Sequence, residues 1–461
     1  MTADPLELAL QRLAADGAPE AIRAAFAHRF AQLQDPAAGL LHGDDLEPVE
    51  DVPALDALGD GRDRGATSAI LDRLAVLKLN GGLGTSMGLR GPKSLVAVKP
   101  GVTFLDVIAR QALALRREHG VRLPLVLMDS FSTRDETLRA LADRHPDLAT
   151  PGIPPDFLQS REPKLDAATR APVSWPEDPA LEWCPPGHGD VYVSLAASGM
   201  LRTLLGAGID WAFVSNSDNL GAVVDARIPA WADARGVPFV MEVVRGTAAD
   251  RKGGHIARRR ADGRIVLRET AQTPPGDDSF TDVERWRYYN TNNLWVDLRA
   301  LRDLLERAPA GPDLPLIVNR KTVDPRDPHS PPVLQLETAM GAAVGAIEGA
   351  RAVLVPRARF APVKTTDDLL VVRSDAYRLD LETGAVSPTF DGSPPVVALD
   401  PECYRTLPAM EQRFAHGPPS LRGATRLTVH GDVVFGRDVT VVGAVTVDGP
   451  ATIADGEVLR G

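Results

Sequence analysis

The chain has 461 residues, more than a single ordinary hydrophobic core accommodates, so two or three domains are expected. Hydrophobic residues make up 44% and charged residues 25%, the balance of a globular protein, while a net charge of −11 argues against nucleic acid as a partner and leaves room for a small phosphorylated ligand in a local positive pocket. No apolar run is long enough to span a bilayer, the opening MTADPLELAL lacks a secretory signal, and two cysteines, Cys184 and Cys403, exclude a disulfide scaffold, so a cytoplasmic setting with no membrane partner is expected.

Residues 1–70 are expected to form an N-terminal helical segment. ELALQRLAA and EAIRAAFAHRFAQLQ carry apolar residues at helical spacing, and 41–65 is acidic and loop-like. From Leu74 the texture changes. Strands are predicted at AVLKL, LPLVLM, WAFVSN and PFVMEVV, with helices between them at TFLDVIARQALALRREHG and RDETLRALADRH. Strand, helix, strand is the pattern of a parallel sheet covered by helices, and such sheets bind ligands on the loops beyond the carboxyl ends of their strands. The tail from Leu427 differs. Val429, Phe435, Val441, Val447, Ile453 and Leu459 recur every sixth position with glycines between, which predicts the stacked coils of a parallel β-helix over 427–461.

The basic residues are unevenly drawn, seven lysines against 44 arginines. Lysine and arginine differ wherever a compact charge on a flexible stem is needed, so Lys93 and Lys364 stand out in their local contexts.

Residues 77–94 read LKLNGGLGTSMGLRGPKS. Glycines after a strand let the backbone turn sharply and present amide N–H groups to phosphate. The segment is not a P-loop, because Pro92 separates Gly91 from Lys93. It is not a dinucleotide fingerprint either, because Gly82, Gly84 and Gly88 are spaced one residue too far. It fits a nucleotidyltransferase loop, in which a glycine-rich turn wraps a nucleoside triphosphate and a Pro-Lys delivers an ammonium to it.

With PLVLMDSFSTRDET, FLQSREPKL, PPGHGDVYVSL, FVSNSDNLGA, KGG at 252–254, NTNNLWV, LIVNRKT, QLETAMGAA and FAPVKTTDDLL following in order, the chain resembles the eukaryotic-type UTP–glucose-1-phosphate uridylyltransferase family. The resemblance implies an α/β fold. A Rossmann-like nucleotidyltransferase domain with a mixed, mainly parallel sheet would cover 71–370. A C-terminal domain at 371–461 would end in a left-handed parallel β-helix. It also implies the reaction of UTP with glucose 1-phosphate, with Mg²⁺ as cofactor. Ser86, where many loops of the wider superfamily carry arginine, favours glucose over N-acetylglucosamine.

The same resemblance distributes the roles. Lys93 and Lys364 are the catalytic cations on the phosphates. Asp218, at the end of a strand, is the metal carboxylate, although Asn216, Asp218 and Asn219 also favour turns in their own right. Leu79, Gly81, Gly82, Gln159, Gly187, His188 and Asn216 bind the nucleotide. Gln159 reads uracil, since one side-chain amide offers a donor and an acceptor together. Gly254, Glu269, Asn290 and Asn292 grip the sugar, with turn formation as the plain alternative for the asparagines. Lys252 is a weaker candidate that could simply neutralise Asp250 or hold the turn. The β-helix is shorter than the family's, so self-association through that end is expected to be limited, a homo-oligomer through the last coil remaining open. Two rivals stay open: the same chemistry on galactose or N-acetylglucosamine 1-phosphate, and a non-catalytic nucleotide-sugar sensor.

Overall fold

The apolar runs become the middle of a ten-stranded mixed sheet. A computed structural model describes residues 4–35, 39–59, 61–247, 250–390 and 392–461, so small parts of the N-terminal helical expectation lie outside the described residues. The strands are β1 (Leu46–Glu47), β2 (Leu74–Asn80), β3 (Leu125–Asp129), β4 (Asp156–Leu158), β5 (Trp211–Asn216), β6 (Phe239–Arg245), β7 (His255–Arg259), β8 (Ile265–Arg268), β9 (Tyr288–Asp297) and β10 (Arg351–Leu354). Their order is β1-β7-β9-β5-β2-β3-β4, with β6 also on β9, β10 on β6 and β8 on β7. β5, β2, β3 and β4 are parallel, β6 and β10 are parallel, and β9 runs antiparallel between the two groups. The result is a mixed α/β fold on a mainly parallel sheet.

Both faces of this sheet are covered, which is why its strands read as nearly continuous apolar runs. Side chains alternate between two cores: Leu74, Val76, Leu125, Leu127, Trp211 and Phe213 face one side, and Ala75, Leu77, Val126, Met128, Ala212 and Val214 the other. The helix Phe104–His119 lies on the first side. Its ends are written locally: Thr103 and Asp106 form a reciprocal capping box, and Gly120 closes the helix in the left-handed region at φ 65°.

The N-terminal helices Pro5–Ala15 and Glu20–Gln32 bury Ala9, Leu13, Phe26 and Phe30 against Leu165, Leu334 and Leu336 of a small antiparallel sheet. Within the acidic stretch expected to be loop, Leu46 and Glu47 pair with Arg259 and Arg258 of β7. Two residues are too few to leave a strand signal in sequence.

The tail carries β11 (Val396–Leu399), β12 (Ser420–His430), β13 (Val433–Phe435), β14 (Thr440–Asp448), β15 (Ala451–Ile453) and β16 (Val458–Arg460). All pair in parallel; β11 pairs with residues 30 further on, as Val397 with Leu427, and past the bulges of β12 the later ladders join residues 18 apart, such as Leu427 with Val445, Val433 with Ala451 and Val441 with Leu459. Eighteen residues are three hexapeptides, so the six-residue period in the sequence is one third of the spacing between these paired residues. A second buried series escaped the sequence reading: Leu427, Val433, Val439 and Val445 point inward alongside Val429, Phe435 and Val441. This interior is continuous with the first core of the sheet.

Two stability predictions follow from this packing. Phe435 is fully buried and stacks on Phe414 with ring centroids 4.7 Å apart. Phe435→Ala is expected to cost about 3–5 kcal/mol, read as a lower urea midpoint. His255 is also fully buried, stacked 4.9 Å from Trp286 and flanked by Phe280 and Tyr289, with no partner for either ring nitrogen among the described residues. Burial, then the charges of Arg268 and Arg285, pushes its pKa down to about 3. The unfolded ring takes up a proton near pH 6.5 and the folded ring only near 3. The unfolded state is therefore favoured as pH falls through that window, by about 1 kcal/mol per pH unit. His255→Phe is expected to flatten this acid limb in urea melts between pH 6.5 and about 4.

Candidate active site

Parallel pairing brings four strand ends to one edge. Leu79 lies beside Asn216, and Asn80 beside Asp129, which lies beside Leu158. The loops leaving these ends, including the glycine loop, therefore converge over the carboxyl edge of the sheet, the usual place for a ligand in such a fold.

The glycine loop folds back on itself. The Lys93 amide donates to the Gly82 carbonyl at 3.1 Å, and Gly84 and Gly88 sit in the left-handed region at φ 61° and 70°. Gly81 touches the predicted base reader: a Cβ there would fall 2.8 Å from both Nε2 and Oε1 of Gln159, so a side chain at this position would push the amide aside. Gln159 is seated by its own amide, which donates to the Asp129 carbonyl at 2.8 Å. Residues given no role from the sequence hold this corner. Ser130 Oγ donates to the Gly81 carbonyl at 3.1 Å, and Asn80 Nδ2 donates to Asp129 Oδ1 at 2.6 Å. Asp190, two residues after His188, accepts from the amide and the hydroxyl of Ser160, each at 2.7 Å. Burial raises the Asp129 carboxyl to about 7, with the Asn80 hydrogen bond opposing.

Gly187 and His188 pack on the segment after the strand Pro332–Thr338. A Cβ at Gly187, where φ is 78°, would fall 2.6 Å from the Thr338 carbonyl oxygen. The Met340 amide donates to His188 Nδ1 at 2.9 Å, which leaves the proton of the neutral ring on Nε2. Burial, helped by the charge of Lys364, pushes this histidine down to about 4, so it is neutral at pH 7. A neutral ring that presents one N–H is a donor for an anion, not a base poised to remove a proton.

Lys93 and Asp218 meet. Lys93 Nζ donates to Asp218 Oδ2 at 2.6 Å, with both side chains mostly buried. Asp218 Oδ1 is buried and lacks a partner among the described residues. Those residues contain no cluster of three or more His, Cys, Asp or Glu able to hold a metal by themselves. One carboxylate oxygen left over beside a glycine loop is the kind of donor Mg²⁺ takes when phosphates supply its other ligands. The donor set fits that ion.

Lys364 lies on an exposed stretch before the helix Thr366–Arg373, and its ammonium has no hydrogen-bond or ion-pair partner among the described residues. Its main chain is tied down: its amide donates to Asp368 Oδ2 at 2.8 Å, and its carbonyl accepts from Ser86 Oγ of the glycine loop at 3.4 Å. Its charge acts on two walls of the site, lowering His188 and opposing the rise of Glu269.

The four predicted sugar residues form one group. Asn290 donates from its amide to the Gly254 carbonyl at 2.9 Å and from Nδ2 to Asn292 Oδ1 at 2.7 Å. Asn292 has φ 57°, a conformation asparagine tolerates. A Cβ on Gly254 would fall 2.5 Å from the Glu269 carboxyl carbon. Burial raises Glu269 to about 7. The motif QLETAMGAA carried no assigned role in the sequence, yet it joins the two halves. Met340 holds His188, and a Cβ on Gly341 would lie 2.8 Å from Asn290 Nδ2. Lys252 does not neutralise Asp250. That carboxylate is held bidentately by Arg357 at 2.8 and 2.9 Å.

Comparison with known proteins gives the family. The family model described as UTP–glucose-1-phosphate uridylyltransferase matches residues 26–442. A UTP–glucose-1-phosphate uridylyltransferase of Saccharomyces cerevisiae is 41% identical over 82% of this chain and 74% of its own length, and one of Solanum tuberosum is 41% identical over 88% and 80%. A variant of the UDP-glucose pyrophosphorylase of Leishmania major, solved in complex with UDP-glucose, superposes with a TM-score of 0.92 at 39% identity over 100% of this chain and 99% of that one. A Trypanosoma brucei structure gives 0.90 at 40% identity over 99% of both chains. The chain belongs to the UTP–glucose-1-phosphate uridylyltransferase family.

Proposed function

We infer that this protein makes UDP-glucose and pyrophosphate from UTP and glucose 1-phosphate. The observation that carries the reading is the grouping, about the carboxyl edge of the sheet, of a glycine loop with Lys93, the Gln159 side chain against Gly81, the Asp218 carboxylate and the cluster of Gly254, Glu269, Asn290 and Asn292. Family membership supplies the substrates.

In the reaction an oxygen of the sugar phosphate attacks the α-phosphorus of UTP. A new P–O bond forms, the bond to the bridging oxygen of the β-phosphate breaks, and pyrophosphate leaves with its electron pair. The attacking phosphate is already ionised near pH 7, so no base is needed, consistent with a neutral His188. The work left to the protein is positioning and charge neutralisation.

We assign Lys93 to the α-phosphate and departing pyrophosphate, and Lys364 to the sugar phosphate. Gln159, Gly81, Gly82 and Leu79 take the uridine, Asn216 the ribose, and Gly187 with His188 the phosphates. Gly254, Glu269, Asn290 and Asn292 take the hexose hydroxyls. Asp218 would hold Mg²⁺, which when bound neutralises phosphate charge. The reading extends to a left-handed wind for the parallel tail, to boundaries at 71–370 and 371–461, and to a cytoplasmic setting. Among the described residues no helix is long and apolar enough to cross a membrane.

Pyrophosphate release with UTP and a panel of sugar 1-phosphates, with and without Mg²⁺, tests the reading. Glucose 1-phosphate with UTP and Mg²⁺ is expected to give the highest kcat/KM, and equal turnover of N-acetylglucosamine 1-phosphate would overturn the sugar assignment. Lys93→Ala is expected to lower kcat by about a hundredfold or more while the thermal midpoint holds. Lys364→Ala is expected to lower kcat similarly and also to raise KM for the sugar phosphate. A Lys93→Ala enzyme with normal turnover would refute its role.

A further inference from the structure

The loop that presents Asp218 is laced to the segment that presents Lys364, and Asn219 is the lace. Its buried side chain binds across the gap in both directions. Nδ2 donates to the Arg359 carbonyl at 3.1 Å and to Asn293 Oδ1 at 3.3 Å, while Oδ1 accepts from the Ala361 amide at 3.0 Å and the Gly221 amide at 3.2 Å. The backbone continues the seam: the Val363 amide donates to the Asp218 carbonyl at 3.1 Å, and Asn219 bridges Pro362 in antiparallel fashion. Lys364 is the next residue.

Beneath the seam lies a fixed floor. Arg359 is buried and donates from Nε and Nη2 to Glu242 at 2.9 and 2.5 Å. Glu242 has no exposed surface and also accepts from Asn293 Nδ2 at 3.0 Å and Trp295 Nε1 at 2.9 Å. On the loop side there is no spare space, since a Cβ on Gly221 would fall 2.9 Å from the Arg359 carbonyl carbon.

We propose that Asn219 is a positioning residue for uridylyl transfer: it fixes the arm carrying Lys364 against the loop carrying Asp218, so that the two arrive at the substrate phosphates in one geometry. The proposal rests on the roles assigned above to Lys364 and Asp218. Lysine has a long flexible stem, so the protein can aim its charge only by fixing the backbone from which it starts. Displacement of a reacting or charge-neutralising group by about 1 Å costs up to roughly a hundredfold in rate. Elsewhere the Lys364 arm is held by its own helix cap and by Ser86. Beside the Val363–Asp218 main-chain bond, the Asn219 side chain ties it to the loop that carries the carboxylate.

Two substitutions loosen the seam by different means. Asn219→Ala removes the lacing hydrogen bonds, and Gly221→Ala drives a methyl group between the segments. Each is made alone and in a Lys364→Ala background, and each is measured by steady-state kinetics, thermal melting and amide hydrogen exchange. Both single variants are expected to lower kcat roughly ten- to hundredfold with little change in KM for UTP. Exchange should rise in the peptide spanning 359–365 while β2 and β5 stay protected. In the Lys364→Ala background the same changes should alter kcat by no more than about twofold, because the group they aim is gone. Losses that multiply in the double variants overturn the proposal, as does a folded variant with faster exchange at 359–365 and undiminished kcat. Normal turnover by Lys364→Ala alone would overturn the underlying site reading as well, which separates that failure from failure of the positioning role. Should Asn219→Ala not fold, Asn219→Ser and the Gly221 wedge give the same comparison.

Discussion

Parallel pairing of β2 with β5 is the constraint from which the site follows. It sets Leu79 beside Asn216, so the glycine loop and the Asp218 loop leave the sheet side by side and in the same direction. The Lys93–Asp218 ion pair at 2.6 Å is the direct consequence. Were the pairing to slip by one residue, the side chains of each strand would change face and both buried cores would be lost. The packing that stabilises the sheet is therefore the packing that aligns the chemistry.

The site is built to keep its few charges useful. Around the ligand space, burial favours the neutral forms of Asp129, Glu269 and His188, the carboxyls rising to about 7 and the imidazole falling to about 4. Lys93 is paired with Asp218, and Lys364 has no partner for its ammonium among the described residues, in a chain whose net charge is −11. Fixed dipoles and cations in a partly dehydrated cleft act more strongly on a polyanion than the same groups in water. Buried polar residues behind the cleft do quieter work. Glu242, Arg359, Asn293 and Asn219 satisfy one another and join the Asp218 loop to the segment that leads to Lys364.

Much of this was legible along the chain because local chemistry writes local structure. The long helix Phe104–His119 begins at a capping box and ends at a left-handed glycine, both visible as TFLD and HG. The strand runs were visible because both faces of the sheet are buried, and the parallel tail because its apolar residues recur every sixth position. The second inward series of the tail was missed, since valine and leucine two residues apart also describe any ordinary strand. The pair Leu46–Glu47 was missed because two residues carry no period. Ser130, Asn80, Asp190, Asn219 and Met340 were passed over for another reason. Their partners lie far away in sequence, and nothing beside them on the chain marks what they touch.

The sequence by itself determined the glycine loop with its lysine, the order of motifs, the family they spell and the repeating tail. These depend on residue type, spacing and backbone freedom, which are properties of neighbours. Only the tertiary structure decided that Gln159 lies against Gly81, that Lys93 meets Asp218 while one oxygen of that carboxylate stays free, and that Asn219 ties Asp218 to the Lys364 arm. Those relations join residues separated by dozens to hundreds of positions. They exist because burial of the sheet's two faces draws the strand ends together, and no stretch of chain read alone contains that information.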